Sequence, residues 1–450
     1  MSISLLVRRQ HDGERQAQIN YAAVPPDWRK EQKYEFLAEK QDYRNVDWQK
    51  IEPDKNNTWL TEGLQSEFEA FLPMAAVKSA KQKEVIFNIC SNGVKTNRDI
   101  WLYNFNYDKL SKNVQSLIDA FNEQVLKWSI LIPKPRVDDF VVNDDRKISW
   151  SAGLKNALKR QINIKYEETN LRRSIYRPFT QKYLYFDRHI IERCYNMNII
   201  FPSLNCERDN LIIGVLSIGG RSNFFCFCSD YIVDMHFNSI DAIQCFPFFI
   251  YSEDGINRRE NLTDWALAQF RAHYRDEAIT KWDIFHYVYA LLHHPGYREK
   301  YAANLRRELP RIPFAPDFRA FAAAGTKLAD LHVNYEQQQE YPLTFQEKPG
   351  APLDWRVVRM KLSRDKTEII YNNFPILMGI PPAVFDYKLG NRSALEWVID
   401  QYRVSTDKRS GITNDPNRAD APQYIVRLVG QVITVSLETL KIIISLPELA

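Results

Sequence analysis

Short runs of β-branched and aromatic residues fill residues 151–250, and Gly, Asn, Ser and Pro stand between them. Runs of this length, bounded by turn residues, are typical of strands. The middle of the chain therefore predicts a β-rich module. Because helical patterns stand on either side of it, the predicted fold class is α+β, with a mixed β-rich module, flanking helices and a helical/β C-terminal subdomain.

Helical periodicity is clearest in residues 107–129, where Leu110, Val114, Leu117 and Phe121 fall on one face. Helices are also predicted for 264–275, for 282–309 with a break at Pro295-Gly296, and for 393–402 with Asn391 or Ser393 as N-cap. Residues 423–437 alternate in hydropathy and predict a strand.

The chain opens with two predicted strands, 2–9 and 17–24, joined by an Asp12-Gly13 turn and ended by Pro25-Pro26. This hairpin and the later boundaries predict four segments. They are a remnant hairpin at 1–25, connecting helices with the first part of the following domain at 26–130, the β-rich module at 131–275, and a helical and β subdomain at 276–450.

Composition excludes several classes of protein. The 60 basic and 56 acidic residues give a net charge of +4, which excludes a polyanion-binding tail. Six irregularly spaced cysteines predict no disulfide framework and favour a reducing cytoplasm. No signal peptide is recognisable, and no stretch approaches the roughly 20 apolar residues of a membrane-spanning helix.

Motifs for common enzyme chemistry are missing from the sequence. There is no phosphate-binding P-loop, no Gly-x-Gly-x-x-Gly cofactor turn and no Gly-x-Ser-x-Gly nucleophile elbow. An adenine amino-methyltransferase needs an Asn-Pro-Pro-Tyr type motif for the target base. The nearest segments, 372–375 and 380–382, do not fit it.

Three patterns that could bind metal have a simpler structural interpretation. Cys226-Phe227-Cys228 lacks a second pair of ligands at zinc-like spacing. His293 and His294 are adjacent on a predicted helix and so point about 100° apart. Asp144-Asp145-Arg146-Lys147 has the acids and lysine of some nucleases, but no upstream acid supports it, and a solvated turn is the simpler interpretation.

Positive charge is concentrated in residues 155–193, which carry ten basic and four acidic residues, for a local net charge of +6. Aromatic residues at 176, 179, 183, 185 and 186 interleave with the basic ones. Arg and Lys neutralise phosphates, and Arg and Asn read base edges, so this composition suits a DNA-reading surface. A sheet with aromatics on one face and solvated cations on the other remains the alternative.

Two further polar loops offer similar chemistry, at 95–98 and 405–414. Taken with the basic segment and the polar residues after Gly219-Gly220, they give a set of predicted DNA-contacting residues. The set is Lys95, Asn97, Arg98, Arg172, Arg173, Arg177, Lys182, Arg188, Arg193, Arg221, Asn223, Lys408 and Arg409. No catalytic or metal-binding residue is predicted.

Six long segments resemble, in order, the C-terminal specificity region of Type ISP restriction-modification enzymes. They are SNGVKTNRDIWLYNF at 91–105, YRPFTQKYLYFD at 176–187, QCFPFFIY at 244–251, ENLTDWAL at 260–267, ITKWDIFHYVYALLHHPGYREKYAANLRRELPRIP at 279–313 and YKLGNRSALEWVIDQYRVSTDKRSGITNDP at 387–416. The resemblance extends along the whole chain, and the opening hairpin resembles the last strands of the family's methyltransferase core.

The resemblance implies a role in bacterial phage defence. Enzymes of this family join a nuclease, an ATP-driven translocase, an adenine-N6 DNA methyltransferase and a target-recognition domain in one polypeptide. For this chain the implied function is recognition of a short asymmetric site in double-stranded DNA. S-adenosylmethionine, ATP and Mg²⁺ would be cofactors of the parent enzyme and not of this chain, whose sequence lacks the catalytic motifs.

Two other functions stay open at the level of sequence. One is a nuclease acting through Asp145 and Lys147, or a methyltransferase subunit assisted in trans. The other is a docking module that binds a methyltransferase, translocase or nuclease polypeptide and has no sequence preference of its own. No membrane partner is expected.

Overall fold

The computed structural model describes residues 18–25, 28–54, 57–76, 84–207, 209–252, 255–346, 350, 354–372 and 375–449. Two compact units divide the chain, Met1–Leu64 and Gln65–Ala450. In the first unit, Ile19–Tyr21 pairs antiparallel with Gln49–Ile51. The predicted strand at 2–9 lies outside the described residues. The four predicted segment boundaries stay predictions.

The helices of the described residues include several single turns. In chain order they are α1 Lys30–Lys40, α2 Asp99–Leu102, α3 Tyr107–Ser129, α4 Val137–Phe140, α5 Ala152–Lys159, α6 Met197–Ile200, α7 Asp264–Tyr274, α8 Lys281–Leu291, α9 Pro295–Lys300, α10 Ala302–Leu305, α11 Phe318–Val333, α12 Ala394–Gln401 and α13 Tyr424–Ile444.

The strands are short throughout. They are β1 Ile19–Tyr21, β2 Gln49–Ile51, β3 Leu72–Pro73, β4 Ser91–Asn92, β5 Tyr103–Asn104, β6 Leu171–Arg177, β7 Thr180–Tyr185, β8 Ile212–Leu216, β9 Cys226–Ser229, β10 Ile232–Val233, β11 Ile243–Pro247, β12 Phe249–Tyr251, β13 Arg258–Glu260, β14 Arg311–Ile312, β15 Thr344–Gln346, β16 Met360–Leu362, β17 Glu368–Tyr371, β18 Ile376–Met378, β19 Lys388–Leu389, β20 Arg392–Ser393, β21 Ser405–Thr406 and β22 Thr413–Asn414.

Two four-stranded sheets carry the predicted β-rich segment. The first has the strand order β10-β6-β7-β5, with β6 and β7 as an antiparallel hairpin and β10 parallel to β6. The second, β4-β11-β8-β9, is antiparallel throughout. A third four-stranded sheet, β15-β18-β17-β16, lies in the C-terminal part. The α+β fold class is therefore confirmed.

Helices α8, α11 and α13 pack in succession beside the second sheet, with α11 in contact with α8, α13 and β9. Gly325 allows α11 to approach α8 closely, because a Cβ atom at this position would lie 1.8 Å from the carbonyl oxygen of His286. A side chain there would force the two backbones apart. This close contact fixes the helical layer against the sheet.

Most predicted helices begin and end near their predicted positions. Helix α3 spans Tyr107–Ser129 and buries the predicted apolar face, and its N-cap Asn106 accepts from the backbone N–H of Lys109. Between the two candidate N-caps of α12, the structure selects Ser393, which forms a capping box with Glu396. Pro295 begins α9 and so produces the expected break.

The predicted strand at 423–437 is wrong, because these residues belong to helix α13. Its β-branched residues favour a strand locally. Burial on the helix face outweighs that preference, since Val429, Val432 and Ile433 are fully buried. None of the helices formed by the described residues is long and apolar enough to cross a bilayer.

Candidate nucleic-acid interface

A buried network of charges lies where strand β6 meets the segment after β10. The Arg177 Nη1 atom donates to Asp234 Oδ1 at 2.7 Å, and its guanidinium carbon lies 3.9 Å from the centroid of the Tyr176 ring. The hydroxyl of Tyr176 donates to Asp99 Oδ2 at 3.0 Å, and Thr96 donates to the other oxygen of Asp99. Arg177 and Asp234 are both buried, so each needs the other as counter-charge.

Lys182 lies against this network instead of projecting into solvent. Its Nζ atom is 4.0 Å from the centroid of Tyr176 and 4.8 Å from that of Phe105. Burial, reinforced by the nearby charge of Arg177, lowers the pKa of Lys182 to about 7. Burial likewise raises the pKa of Asp234, although Arg177 opposes that effect. Arg177 and Asp234 thus form the buried centre of the network, and Tyr176 and Lys182 lie half-buried around it.

Arg98 forms a second buried arrangement that joins three chain segments. Its Nε donates to the carbonyl oxygen of Ser149 at 3.1 Å, and its two terminal nitrogens donate to the carbonyl of Ile190 and the hydroxyl of Ser151. The Ser151 hydroxyl donates to Glu192 Oε2 at 2.5 Å. Desolvation lowers the pKa of Arg98 to about 10, with the charge of Glu192 acting in the opposite direction. We call Arg98, Ser151 and Glu192 the Arg98 clamp.

Arg172 is the third buried arginine of the predicted set. Its Nε donates to Glu207 Oε1 at 2.6 Å, and its Nη2 donates to the carbonyl oxygens of Phe201 and Ser203. Burial raises the pKa of Glu207, and the charge and hydrogen bond of Arg172 oppose this. Arg98, Arg172 and Arg177 thus use their guanidinium groups on protein partners, which is a structural role that the sequence did not distinguish from DNA contact.

The loop Gly93–Asn97 brings two of the predicted segments together. Lys95 and Arg193 exchange backbone hydrogen bonds of 2.9 Å, so the polar loop lies directly beside the end of the basic segment. Gly93 is required, because a Cβ atom there would lie 2.7 Å from the backbone of Asp234. Asn97 has a φ of +57°, and its side chain is exposed. Lys95, Asn97 and Arg193 therefore stand on an immobilised backbone.

A second group lies at the end of the sheet where β8 turns into β9. Arg221 donates from its backbone N–H to Asp241 Oδ1 at 3.1 Å and from Nη2 to the carbonyl of Ile240, also at 3.1 Å. Its side chain nevertheless stays 75% exposed, which leaves donors free for a ligand. Asn223 is exposed beside it and donates its backbone N–H to the side chain of Asn391.

Hydrogen bonds to Asp241 fix this second group. Burial raises the pKa of a carboxyl group, but here the hydroxyl of Ser222 and the backbone N–H groups of Arg221 and Ser222 outweigh it. Together with Asn238 they lower the pKa of Asp241 to about 2. Asp241 is therefore ionised at neutral pH and holds Arg221 in place.

Lys408 and Arg409 occupy the turn of the β21–β22 hairpin and are exposed. Asp407 closes the turn, accepting backbone hydrogen bonds from Arg409 at 3.1 Å and from Ser410 at 2.7 Å. The hairpin is attached to the first sheet by Asn104, whose Nδ2 donates to the carbonyl of Thr413 at 3.3 Å.

Arg173 and Arg188 are exposed but differently placed. Arg173 lies 5.8 Å from the Tyr183 ring centroid and lines a cavity of about 730 Å³ whose wall includes Asp209, Asp330 and Glu336. Its acidic neighbours make this cavity unfavourable for a phosphate. Arg188 contacts the ring nitrogen of His189 through Nε at 3.4 Å.

The exposed groups meet around the buried network. Segment 234–242 connects the group at Lys95 and Arg193 with the group at Arg221 and Asn223. The backbone N–H of Met235 donates to the carbonyl of Val94, and the carbonyl of Ala242 accepts from the backbone N–H of Ser217. The β21–β22 hairpin is joined to the strand beside Lys182, because Asn104, which donates to Thr413, pairs with Tyr183. We define the loop surface as the half-buried Lys95 together with six exposed members of the predicted set at this network. These six are Asn97, Arg193, Arg221, Asn223, Lys408 and Arg409.

Sequence reasoning missed several exposed polar residues beside the loop surface. Arg306 accepts a backbone hydrogen bond from Gly219, and Asn391 accepts one from the backbone of Asn223. The charge of Arg403 contributes to lowering the pKa of Lys182. Each belongs to a segment predicted as helix or connection. Only the long-range contacts place them beside the predicted loops.

Residues of the sequence patterns considered as possible metal sites contact other protein groups in the structure. Cys226 Sγ lies 3.3 Å from His293 Nδ1 and from Arg298 Nη2 in a buried position. Asp144 closes a turn by accepting from the backbone N–H of Arg146 at 3.0 Å. Over the described ranges, no three His, Cys, Asp or Glu side chains are grouped to hold a metal ion.

Solved structures of DNA-bound enzymes are similar to this chain. A nuclease-deletion mutant of the Type ISP restriction-modification enzyme LlaGI, in complex with a DNA substrate mimic, is 35% identical with a TM-score of 0.83. The DrdV–DNA complex is 33% identical with a TM-score of 0.84, and the ATP-dependent Type ISP enzyme LlaBIII bound to DNA is 29% identical with a TM-score of 0.82.

The alignments cover 96%, 96% and 94% of this chain but only 39%, 43% and 27% of the respective neighbours. This chain thus spans less than half the length of each of these three proteins. No curated protein sequence matches it. A sequence profile of the Type ISP C-terminal specificity domain matches residues 85–428, which include every member of the loop surface. The chain therefore belongs to the family of Type ISP C-terminal specificity domains.

Proposed function

We propose that this chain recognises a short asymmetric site in double-stranded DNA, as the specificity domain of a Type ISP restriction-modification system. The observation that carries the proposal is the loop surface. Its seven cationic and amide side chains come from four separate segments and stand on backbone that is fixed by hydrogen bonds. Membership in the specificity-domain family and the DNA-bound state of the similar structures support it.

The chemistry of the side chains suggests a division of roles. Asn97, Asn223, Arg193 and Arg221 can form bidentate hydrogen bonds with base edges in the major groove. Lys95, Lys408 and Arg409 are suited to phosphates, which set register and release counterions. Fixed loops favour this use, because little backbone freedom remains to be lost on binding.

The remaining parts of the proposal concern the parent system. Methylation of adenine and DNA cleavage would be carried out by methyltransferase, translocase and nuclease parts that use S-adenosylmethionine, ATP and Mg²⁺ and lie outside this chain. Such parts would be its protein partners, in the same polypeptide or in trans. The site of action would be the bacterial cytoplasm, in defence against phage.

The test is selection of the purified chain against a pool of random DNA duplexes at moderate salt, followed by sequencing. We expect enrichment of one asymmetric motif, with affinity that falls steeply as salt increases. Recovery of DNA without an enriched motif would contradict sequence recognition and leave phosphate binding alone. Incubation with plasmid and Mg²⁺ serves as the control for an independent nuclease, and no cleavage is expected.

A further inference from the structure

Two exposed isoleucines flank Arg221 on the loop surface. Ile218 is 44% exposed and Ile240 is 47% exposed, although both lie in an otherwise polar environment. They belong to neighbouring turns, 217–220 and 236–240, at the same end of the β4-β11-β8-β9 sheet. The hydrogen bond from Ser217 to Ala242 extends the β8–β11 pairing up to these turns.

The turn that carries Ile218 is held by hydrogen bonds within the turn and to a distant segment. Gly220 donates to the carbonyl of Ser217 at 3.1 Å, and Gly219 has a φ of +75°, which together match a type II turn with Ile218 at its corner. Gly219 also donates to the carbonyl of Arg306 at 3.0 Å. Ile218 is thus fixed at an exposed corner.

Ile240 is fixed by different contacts. Its carbonyl oxygen accepts from Arg221 Nη2 at 3.1 Å, and its backbone N–H donates to Asn238 Oδ1 at 3.4 Å. The preceding turn is closed by a hydrogen bond from Ser239 to His236. Arg221 is therefore bonded directly to the turn that carries the second isoleucine.

The charge around the two isoleucines indicates which partner they suit. Asp241 is the only carboxylate within 217–223 and 236–242, and it is buried and bonded to Arg221. Arg221 and Asn223 are exposed beside them. A rigid apolar corner with a cationic border complements duplex DNA, whose phosphates flank a stack of apolar base faces.

We infer that Ile218 and Ile240 form a wedge that enters the base stack of the recognised duplex and partly unstacks one base step, while Arg221 contacts the adjoining backbone or base edge. This inference rests on the proposed function and deepens it. It adds a distortion-dependent contribution to specificity, because sequences with weakly stacked steps deform at a smaller free-energy cost.

The experiment uses the duplex enriched from the random pool, with 2-aminopurine placed at one position at a time. We expect the full chain to increase 2-aminopurine fluorescence at one step, as unstacking does. The double variant Ile218→Ala/Ile240→Ala should return the signal to that of free duplex. Its affinity for the enriched duplex should fall about tenfold, and for a scrambled duplex by less than about twofold.

The matched control is Ile444→Ala, which removes an isoleucine that is 81% exposed at the end of α13, and it should behave as the unmodified chain. Thermal unfolding confirms that each variant is folded. Binding of the enriched duplex without unstacking at any step, or unstacking retained by the double variant, would overturn the wedge alone. If no duplex is enriched, the proposed function fails, and the wedge fails with it.

Discussion

The β6–β7 hairpin and the surrounding loops both contain predicted DNA-contacting arginines, but the structure uses them in opposite ways. In β6, Arg172 and Arg177 are buried and paired with Glu207 and Asp234. In the loop after β8, Arg221 is held through its backbone N–H, Nε and Nη2, and its side chain stays largely exposed. A high local charge in the sequence therefore does not by itself locate a charged surface.

The difference follows from the position of each segment in its sheet. β6 lies between β10 and β7, so its backbone is paired on both sides, and its side chains are buried on both faces except at Arg173 and Tyr176. A charged side chain buried in this strand needs an oppositely charged partner, and the resulting ion pair stabilises the folded structure. Loops at the end of a sheet carry side chains that solvent or a ligand can reach.

The largest effect is expected from Arg177→Ala. The change leaves Asp234 buried without its counter-charge, so the free energy of unfolding should fall by about 3–5 kcal/mol. Urea denaturation measures this. Arg188→Ala, which removes an exposed arginine of the same basic segment, should change stability by no more than about 0.5 kcal/mol. Equal effects of the two changes would refute the distinction between buried and exposed arginines.

Asp241→Asn should have the next largest effect, also on stability. Because its folded-state pKa of about 2 lies below the ordinary value of 3.8, Asp241 contributes stability above about pH 4 that is lost as pH falls through about 2. The variant should lose about 2 kcal/mol at neutral pH and show a weaker dependence on pH in that window. Acid titration of unfolding checks this.

The control for that measurement is Asp420→Asn, since Asp420 is exposed. Stability within about 0.5 kcal/mol of the unmodified chain is expected there. An acid-unfolding curve for Asp241→Asn that coincides with that of the unmodified chain would show that Asp241 does not anchor the Arg221 turn.

Arg221→Ala should act on binding more than on folding. Loss of one specific contact is expected to weaken affinity for the enriched duplex about tenfold, or about 1.4 kcal/mol, while the chain stays folded. Fluorescence anisotropy with the enriched and a scrambled duplex measures the difference. The comparison with Arg177→Ala is direct, because that variant should lose binding only through unfolding.

The smallest effects are expected from Lys408→Ala and Arg409→Ala. If each side chain neutralises one phosphate, each change lowers the slope of log affinity against log salt by about 0.9 without altering the enriched motif. Lys361→Ala removes an exposed lysine from β16 and should leave the slope unchanged. A changed motif with an unchanged slope would assign the hairpin to base reading.

Local sequence patterns predicted those elements whose burial follows one period. Helix α3 is an example, because its apolar residues repeat at the helical spacing and its polar residues face solvent. The break before α9 and the capping box of α12 follow from single residues, Pro295 and Ser393. Helix α13 was not predicted from its local pattern. It is buried over most of its circumference, so its apolar residues do not form one stripe at helical spacing, and its many β-branched residues favour a strand.

By itself the sequence determined the α+β class, the polar loops that supply candidate DNA contacts and the resemblance to the specificity-domain family. Tertiary structure decided which cations are available to a ligand, because burial and pairing depend on residues far away in the chain, such as Asp234 for Arg177 and Glu192 for the Arg98 clamp. It also placed Lys95 beside Arg193, and it joined the end of β8 before Ile218 to the segment after Ile240 through the hydrogen bond from Ser217 to Ala242. No local pattern encodes such neighbours, since strand pairing across long loops is set by the packing of the whole sheet.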